Sequence, residues 1–305
     1  MKQPPPLRYN DKAMIISPSG NIEGHIVQDA VNVLEEWRLR PEISKNALSR
    51  AGRFSGTIDQ RLEDLQYAFD NPEIKVVLCS RGGYGAVHLL DKINFTAIKR
   101  SPKWVVGYSD ITALHAALQK HGIASIHGPM ASHFSNEGSE DISLRYLKSV
   151  LARQSINYNI PIIQKTNLTR LGLAEGRLFG GNLSVLCGIL GSKYFKVPRK
   201  GILFIEDIGE IPYKIDRMIY QLKLSGVFNK ISGLIVGKFT DFEEDLNMYS
   251  PLYDSIFNAV SEYNFPICFN FPVGHVKLNF PLIMGEKASL NVEDYNILFK
   301  QSIRN

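Results

Sequence analysis

Val105–Thr112 reads VVGYSDIT, where an apolar, strand-like run passes into a helical pattern through Gly107, Tyr108, Ser109 and Asp110. A strand–turn–helix passage of this kind can hold a serine on a sharp turn above a parallel sheet. The hydroxyl then lies by a helix N-terminus, whose unpaired N–H groups and dipole favour developing negative charge. The chemistry implied is nucleophilic attack by Ser109, with the Asp110 N–H as an oxyanion donor. Ile111 stands where the G-x-S-x-G elbow carries its last glycine, so that motif is matched only in part. Taken alone, Ser109 also fits a plain helix N-cap.

A serine nucleophile needs a base, and the base needs an orienting acid. Of the seven histidines, His115, His121, His127 and His133 recur at a spacing that rotates around a helix and crosses two glycines, which disfavours a metal cluster. His275 differs, lying in the Gly- and Pro-containing loop FPVGHV. For the acid, the apolar run GILFIED ends in Glu206 and Asp207, and carboxylates at strand C-termini point into the ligand crevice of open α/β sheets. Glu206 is the candidate and Asp207 its rival. A solvated strand end, with Asp207 capping the next turn, is the plainer alternative.

Arg81-Gly82-Gly83-Tyr84-Gly85 follows another apolar run, Ile74–Cys79. Closely spaced glycines let backbone N–H groups approach an oxyanion or a carboxylate. The G-G-x-G spacing is not G-x-G-x-x-G, so a dinucleotide-binding Rossmann reading fails. Gly83 is the expected second oxyanion donor, with Gly82 its rival. Arg81, Gly82, Tyr84 and the amide of Asn182 are candidates for anchoring substrate. Glu210, Tyr213 and Arg217 fall on the helical entry after Glu206 and are candidates to line the cleft, with packing as the simpler role.

These groups need elements to carry them. Apolar strands at Ala13–Ser17, Ile74–Cys79 and Trp104–Gly107 alternate with helical patterns at His25–Trp37 and Ile111–Gln119. Thr57–Gln60 has the spacing of a capping box whose helix Asn71-Pro72 closes. This βαβ rhythm predicts a parallel sheet covered by helices. The second half predicts a small-residue helix over 180–191, strands at Gly201–Glu206 and Gly233–Phe239, a helix at Tyr213–Leu224, and β-rich structure after Pro266. The expected division is an N-terminal α/β domain over 1–150 carrying Ser109, a linker over 151–175, and a smaller C-terminal domain over 176–305 carrying Glu206 and His275. The site would then lie in the cleft between them.

The chain has 305 residues, 44% hydrophobic and 21% charged, which fits a globular protein and excludes disordered and fibrous classes. Its net charge of +5 shows no clustered Lys/Arg stripe, so no nucleic-acid partner is expected. No run is long enough to span a bilayer, and the polar, proline-rich start lacks a secretory pattern, so a cytoplasmic location is expected. Cys79, Cys187 and Cys268 are an odd number at wide spacing, read as free thiols.

Taken together, these residues resemble the LD-carboxypeptidase family of serine peptidases, which includes the microcin-immunity peptidases. IISPSG, the Phe54–Leu65 helix with its F-x-G-T-x-x-x-R-L-E-D-L pattern, RGGYG, VVGYSDIT, HGPM, GRLFGGNL, LFIEDIGEIPYKIDR and FPVGH occur in the family's order. The resemblance implies a triad of Ser109, His275 and Glu206, a Rossmann- or flavodoxin-like N-terminal domain with a β-rich second domain, and a homodimer. It implies no metal and no organic cofactor. The implied reaction is hydrolysis of the amide between an L-diamino acid and terminal D-alanine in murein tetrapeptides, within cell-wall recycling. The microcin-immunity branch instead cleaves an amide in a peptidyl-nucleotide. A non-catalytic two-domain peptide-binding protein is the alternative of another class, and it leaves the serine, glutamate and histidine unexplained.

Overall fold

The computed structural model describes residues 1–152, 154–162 and 168–302. In chain order the first elements are β1 (Lys12–Ile16), α1 (Gly24–Glu36), β2 (Arg40–Ile43), α2 (Ile58–Asp70), β3 (Ile74–Cys79), α3 (Thr96–Arg100), β4 (Trp104–Gly107), α4 (Thr112–Lys120), β5 (Ser125–His127), α5 (Ala131–Glu137) and α6 (Ile142–Leu151). Then follow β6 (Ile156–Pro161), β7 (Gly172–Asn182), α7 (Leu183–Ile189), β8 (Gly201–Ile208), α8 (Pro212–Leu224), β9 (Ile231–Thr240), α9 (Leu252–Ala259), β10 (Ile267–Cys268), β11 (Leu282–Met284), β12 (Lys287–Val292) and β13 (Asn296–Gln301).

The chain forms two compact units. The first contains Met1–Gln154 and Lys277–Gly285, the second Ser155–Val276 and Glu286–Ser302. In the first unit the strand order is β11-β5-β4-β3-β1-β2. β2, β1, β3, β4 and β5 are parallel, and β11 pairs antiparallel with β5. The parallel part has the flavodoxin-like order, in which the chain leaves β1 for one side and returns on the other. Ligands bind outside the carboxyl ends of strands at such a switch point. β3 and β4 are apolar because both sheet faces are covered: Val77, Val105 and Val106 are fully buried, each contributing roughly 1.5–3 kcal/mol. α2 starts where its capping box predicts, with Thr57 Oγ1 accepting the Gln60 N–H and Gln60 Oε1 accepting the Thr57 N–H.

The second unit's sheet runs β10-β9-β8-β7-β12-β13-β6, parallel from β7 to β10 and antiparallel from β7 through β12 and β13 to β6. α7, α8 and α9 cover the parallel part, packing Leu186, Ile215, Ile219 and Ile256 against Leu203, Ile205 and Leu234.

The expected boundaries differ in three places. β6 lies within the supposed linker; its burial alternates with its polar residues, as an outer strand's does, and polar alternation with a proline reads as loop. Residues 153 and 163–167 of that linker lie outside the described residues. Residues 277–285, expected in the second domain, return to the first unit as β11. The helix expected over 180–191 begins only at Leu183, because Gly180–Asn182 extend β7 alongside Phe204–Glu206 of β8. Cys79 and Cys268 are buried free thiols and Cys187 is a half-buried one. Among the described residues no helix is long and apolar enough to cross a membrane.

Candidate active site

In the first unit, three loops leave the carboxyl ends of the adjacent strands β1, β3 and β4: residues 17–20, 80–86 and 108–111. At the third, β4 ends at Gly107 and Ser109–Ile111 form a single 3₁₀ turn that runs into α4. Ser109 adopts φ +62°, the left-handed region, which costs a non-glycine residue on the order of 1–2 kcal/mol. Its side chain caps nothing: the residue at the N-cap of the turn is Tyr108. The strain and the uncommitted hydroxyl separate Ser109 from an ordinary capping serine.

The glycine turn lies directly against it. A Cβ on Gly82 would sit 2.6 Å from Ser109 Cβ and 2.7 Å from its Oγ, so no side chain fits there. Gly83 backs onto Gly20, and the Gly20 N–H donates to the Gly82 carbonyl at 3.1 Å. The N–H groups of Gly82, Gly83 and Asp110 have no acceptor among the described residues. Such donors stay available for negative charge arising at the serine.

Behind the elbow, His115 is fully enclosed. Its Nε2 donates to the Gly107 carbonyl at 2.8 Å, and its Nδ1 accepts from Ser125 Oγ at 2.8 Å. Burial is the larger influence and pushes its pKa down to about 4, so the ring is neutral at pH 7 and that tautomer fits both bonds. The recurring histidines fall on different elements, His115 on α4, His121 at its C-cap, His127 on β5 and His133 on α5, with the rings of His115 and His127 as neighbours 6.4 Å apart. Among the described residues no group of three His, Cys, Asp or Glu is arranged to hold a metal.

The second unit holds the candidate acid and base. β8 delivers Glu206, fully buried, and the loop after β10 delivers His275, whose side chain keeps 14% of its exposure. His275 Nδ1 donates to Glu206 Oε2 at 2.8 Å. This leaves Nε2 as the ring's proton acceptor, the tautomer a general base requires. The other carboxylate oxygen, Oε1, has no hydrogen-bond donor among the described residues. Gly274 sits at φ +122°, and a Cβ there would meet Glu206 Oε2 at 3.0 Å.

Asp207 is occupied elsewhere. It accepts from Asn182 Nδ2 at 2.9 Å, from the Ser184 N–H at 2.8 Å and from the Ile208 N–H at 2.9 Å, fastening the start of α7 to the end of β8. Burial first, and Glu206 second, push its pKa up to about 6. Asn182, considered for substrate, spends its Oδ1 as the N-cap of α7. Arg81 donates to the Asn21 carbonyl at 3.2 Å. Tyr84 is half exposed, its ring against Phe54 and His88. Arg217 stacks over Tyr213, and Glu210 is half-buried ahead of α8.

Two buried polar side chains beside the elbow had no role in the sequence reading. Asp110 accepts through one oxygen from Ser19 Oγ at 2.6 Å and from the Ala86 N–H at 2.7 Å. Arg61 donates to the carbonyls of Pro18 at 2.8 Å and Gly85 at 2.9 Å. The signal for Arg61 was present in α2, where Arg61 and Asp64 share the buried face with Leu65 and Ala68. A charged residue at a core-facing helical position calls for a partner.

Similarity to known proteins gives this geometry its context. Residues 14–128 match the LD-carboxypeptidase N-terminal domain and residues 175–290 the LD-carboxypeptidase C-terminal domain. The chain belongs to the LD-carboxypeptidase family. It is 33% identical to a probable murein peptide carboxypeptidase of Bacillus subtilis, covering 99% of this chain and 95% of that protein. It is 30% identical to the microcin C7 self-immunity protein of Escherichia coli, covering 80% and 78%. The solved muramoyltetrapeptide carboxypeptidase of Oxalobacter formigenes superposes with a TM-score of 0.87 at 29% identity, covering 96% and 99%. The protein is therefore a peptide hydrolase with the two-domain α/β fold of that family.

Proposed function

We propose that this LD-carboxypeptidase-family protein removes the terminal D-alanine from murein tetrapeptides, using Ser109 as nucleophile, His275 as general base and Glu206 as its orienting acid. The observation that carries the reading is the left-handed Ser109, uncapped, with the open N–H groups of Asp110 and the glycine turn around it. Ser109 Oγ bonds to the carbonyl carbon while its proton passes to His275 Nε2, and Glu206 balances the imidazolium. The N–H groups of Asp110 and Gly83 receive the oxyanion. The carbon–nitrogen bond then breaks as Nε2 returns the proton to the departing amine of D-alanine. Water, deprotonated by the same imidazole, releases the acyl group from Ser109. The free carboxylate of the D-alanine is anchored by Arg81 or the remaining N–H groups of the turn.

The murein substrate is favoured over a peptidyl-nucleotide by sequence, since the probable murein peptide carboxypeptidase aligns over 99% of this chain and the microcin self-immunity protein over 80%; the solved structures of both kinds match over nearly the full chain and do not separate them. Incubation with a murein tetrapeptide should release D-alanine, and Ser109→Ala should lower the rate by about 10⁴-fold or more without unfolding the protein. Undiminished release by that variant removes Ser109 from the mechanism. Faster cleavage of an aminoacyl-nucleotide amide than of the tetrapeptide would assign the chain to the microcin-type reaction.

A further inference from the structure

We propose that the carboxylate of Asp110, with Ser19 and Arg61, is a positioning clamp that fixes the glycine turn against Ser109, so that one residue offers an oxyanion donor through its backbone and sets the second donor through its side chain. The inference rests on the reading of Ser109 as nucleophile.

Beyond the strand ends no ladder holds the loops at 17–20, 80–86 and 108–111 in register. Precise placement of oxyanion donors therefore needs cross-links, and two side chains supply most of them. Asp110 Oδ2 joins the elbow to the first loop through Ser19 Oγ and to the second through the Ala86 N–H. Arg61 Nη1 reaches from α2 to join the same two loops through the Pro18 and Gly85 carbonyls. The Gly20 N–H to Gly82 carbonyl bond and the buried Ser17 Oγ–Ser80 Oγ bond at 2.6 Å add two more links between the first and second loops.

Both side chains are almost wholly enclosed, Asp110 3% and Arg61 2% exposed. Burying two such groups is costly, and apolar side chains of the same volume would often serve stability as well or better. Bonds to charged groups are shorter and more directional, which suits a device whose purpose is placement. The two groups attract without touching, each offsetting part of the other's desolvation. Neither reaches the reacting atoms through its side chain, so both act through the turn.

The test compares Ser19→Ala, Asp110→Asn, Asp110→Ala, Arg61→Lys and Arg61→Met in the full chain, measuring kcat and KM for tetrapeptide hydrolysis and the pH profile of kcat/KM. Ser19→Ala should lower kcat roughly 3–10-fold and Asp110→Ala about 10²-fold, with KM nearly constant, because misplaced donors cost transition-state binding. Asp110→Asn, which retains an acceptor oxygen, should fall between them. Arg61→Lys should keep more kcat than Arg61→Met. The Ser19→Ala/Asp110→Ala double variant should lose less than the product of the single effects, since both remove one bond. The pH limbs should stay in place, because the clamp moves no proton.

Wild-type kcat in Ser19→Ala and Asp110→Asn, a loss confined to KM, or multiplicative single effects would overturn the clamp. Ser19→Ala removes one hydroxyl and carries the test if Asp110→Ala fails to fold. Ser109→Ala run alongside separates the two claims: undiminished turnover there removes both, whereas its loss of about 10⁴-fold beside unimpaired clamp variants removes only this one.

Discussion

Around Ser109 the proposed chemistry is carried mainly by backbone: a left-handed residue, a glycine with no room for a methyl group, and N–H groups left open. Around His275 it is carried by side chains, a buried carboxylate holding one ring nitrogen at 2.8 Å. The two halves should therefore fail differently. A side-chain function can be replaced by a small molecule of the same chemistry, but a loop displaced by an ångström cannot be restored from solution.

Removing the proposed base gives the largest effect that bears on this contrast. His275→Ala should lower kcat about 10³–10⁴-fold, and added imidazole should recover part of it. Assays with and without imidazole check this, and wild-type turnover without it would break the side-chain half. Gly82→Ala should come next, with kcat reduced about 10²-fold, the far-ultraviolet spectrum unchanged and no response to imidazole. Full activity in that variant would mean the turn can recede from Ser109 at no cost, which would break the backbone half.

The smallest effect concerns the frame behind the elbow. His115 is buried neutral with its pKa below the ordinary 6.5, at about 4, so the folded state binds fewer protons than the unfolded one between those values. Stability due to this group is complete above about pH 6.5 and is lost as pH falls through about 4, a change on the order of 3 kcal/mol. Unfolding measured from pH 7 to pH 4 should show a steeper decline for the wild type than for His115→Asn. Parallel curves would show that His115 does not govern this window.

The strands and capped helices of the first unit were legible because their signals are local: Ile74–Cys79 is apolar at every position but Lys75, and Thr57–Gln60 carries both halves of its cap. The Ser109 turn was legible for the same reason. Asp207 could not be told from Glu206 in sequence, since adjacent carboxylates at a strand end differ only in which face they take, and only the partners show that Asp207 is committed to α7. The Asp110–Ser19 bond spans 91 residues, so no window of sequence contains it. β6 was hidden because an outer strand tolerates the polar residues that mark loops elsewhere.

The return of Leu282–Met284 to pair with Ser125–His127 has a consequence for the gene. The coding sequence enters the second unit, leaves it for nine codons' worth of the first, Lys277–Gly285, and re-enters it to encode β12 and β13. No single cut yields either unit whole. A fragment stopping at residue 154 would carry β5 with its outer rim bare, a template for mispairing with other chains. The halves are interleaved in the reading frame, so neither can be obtained whole by simple truncation.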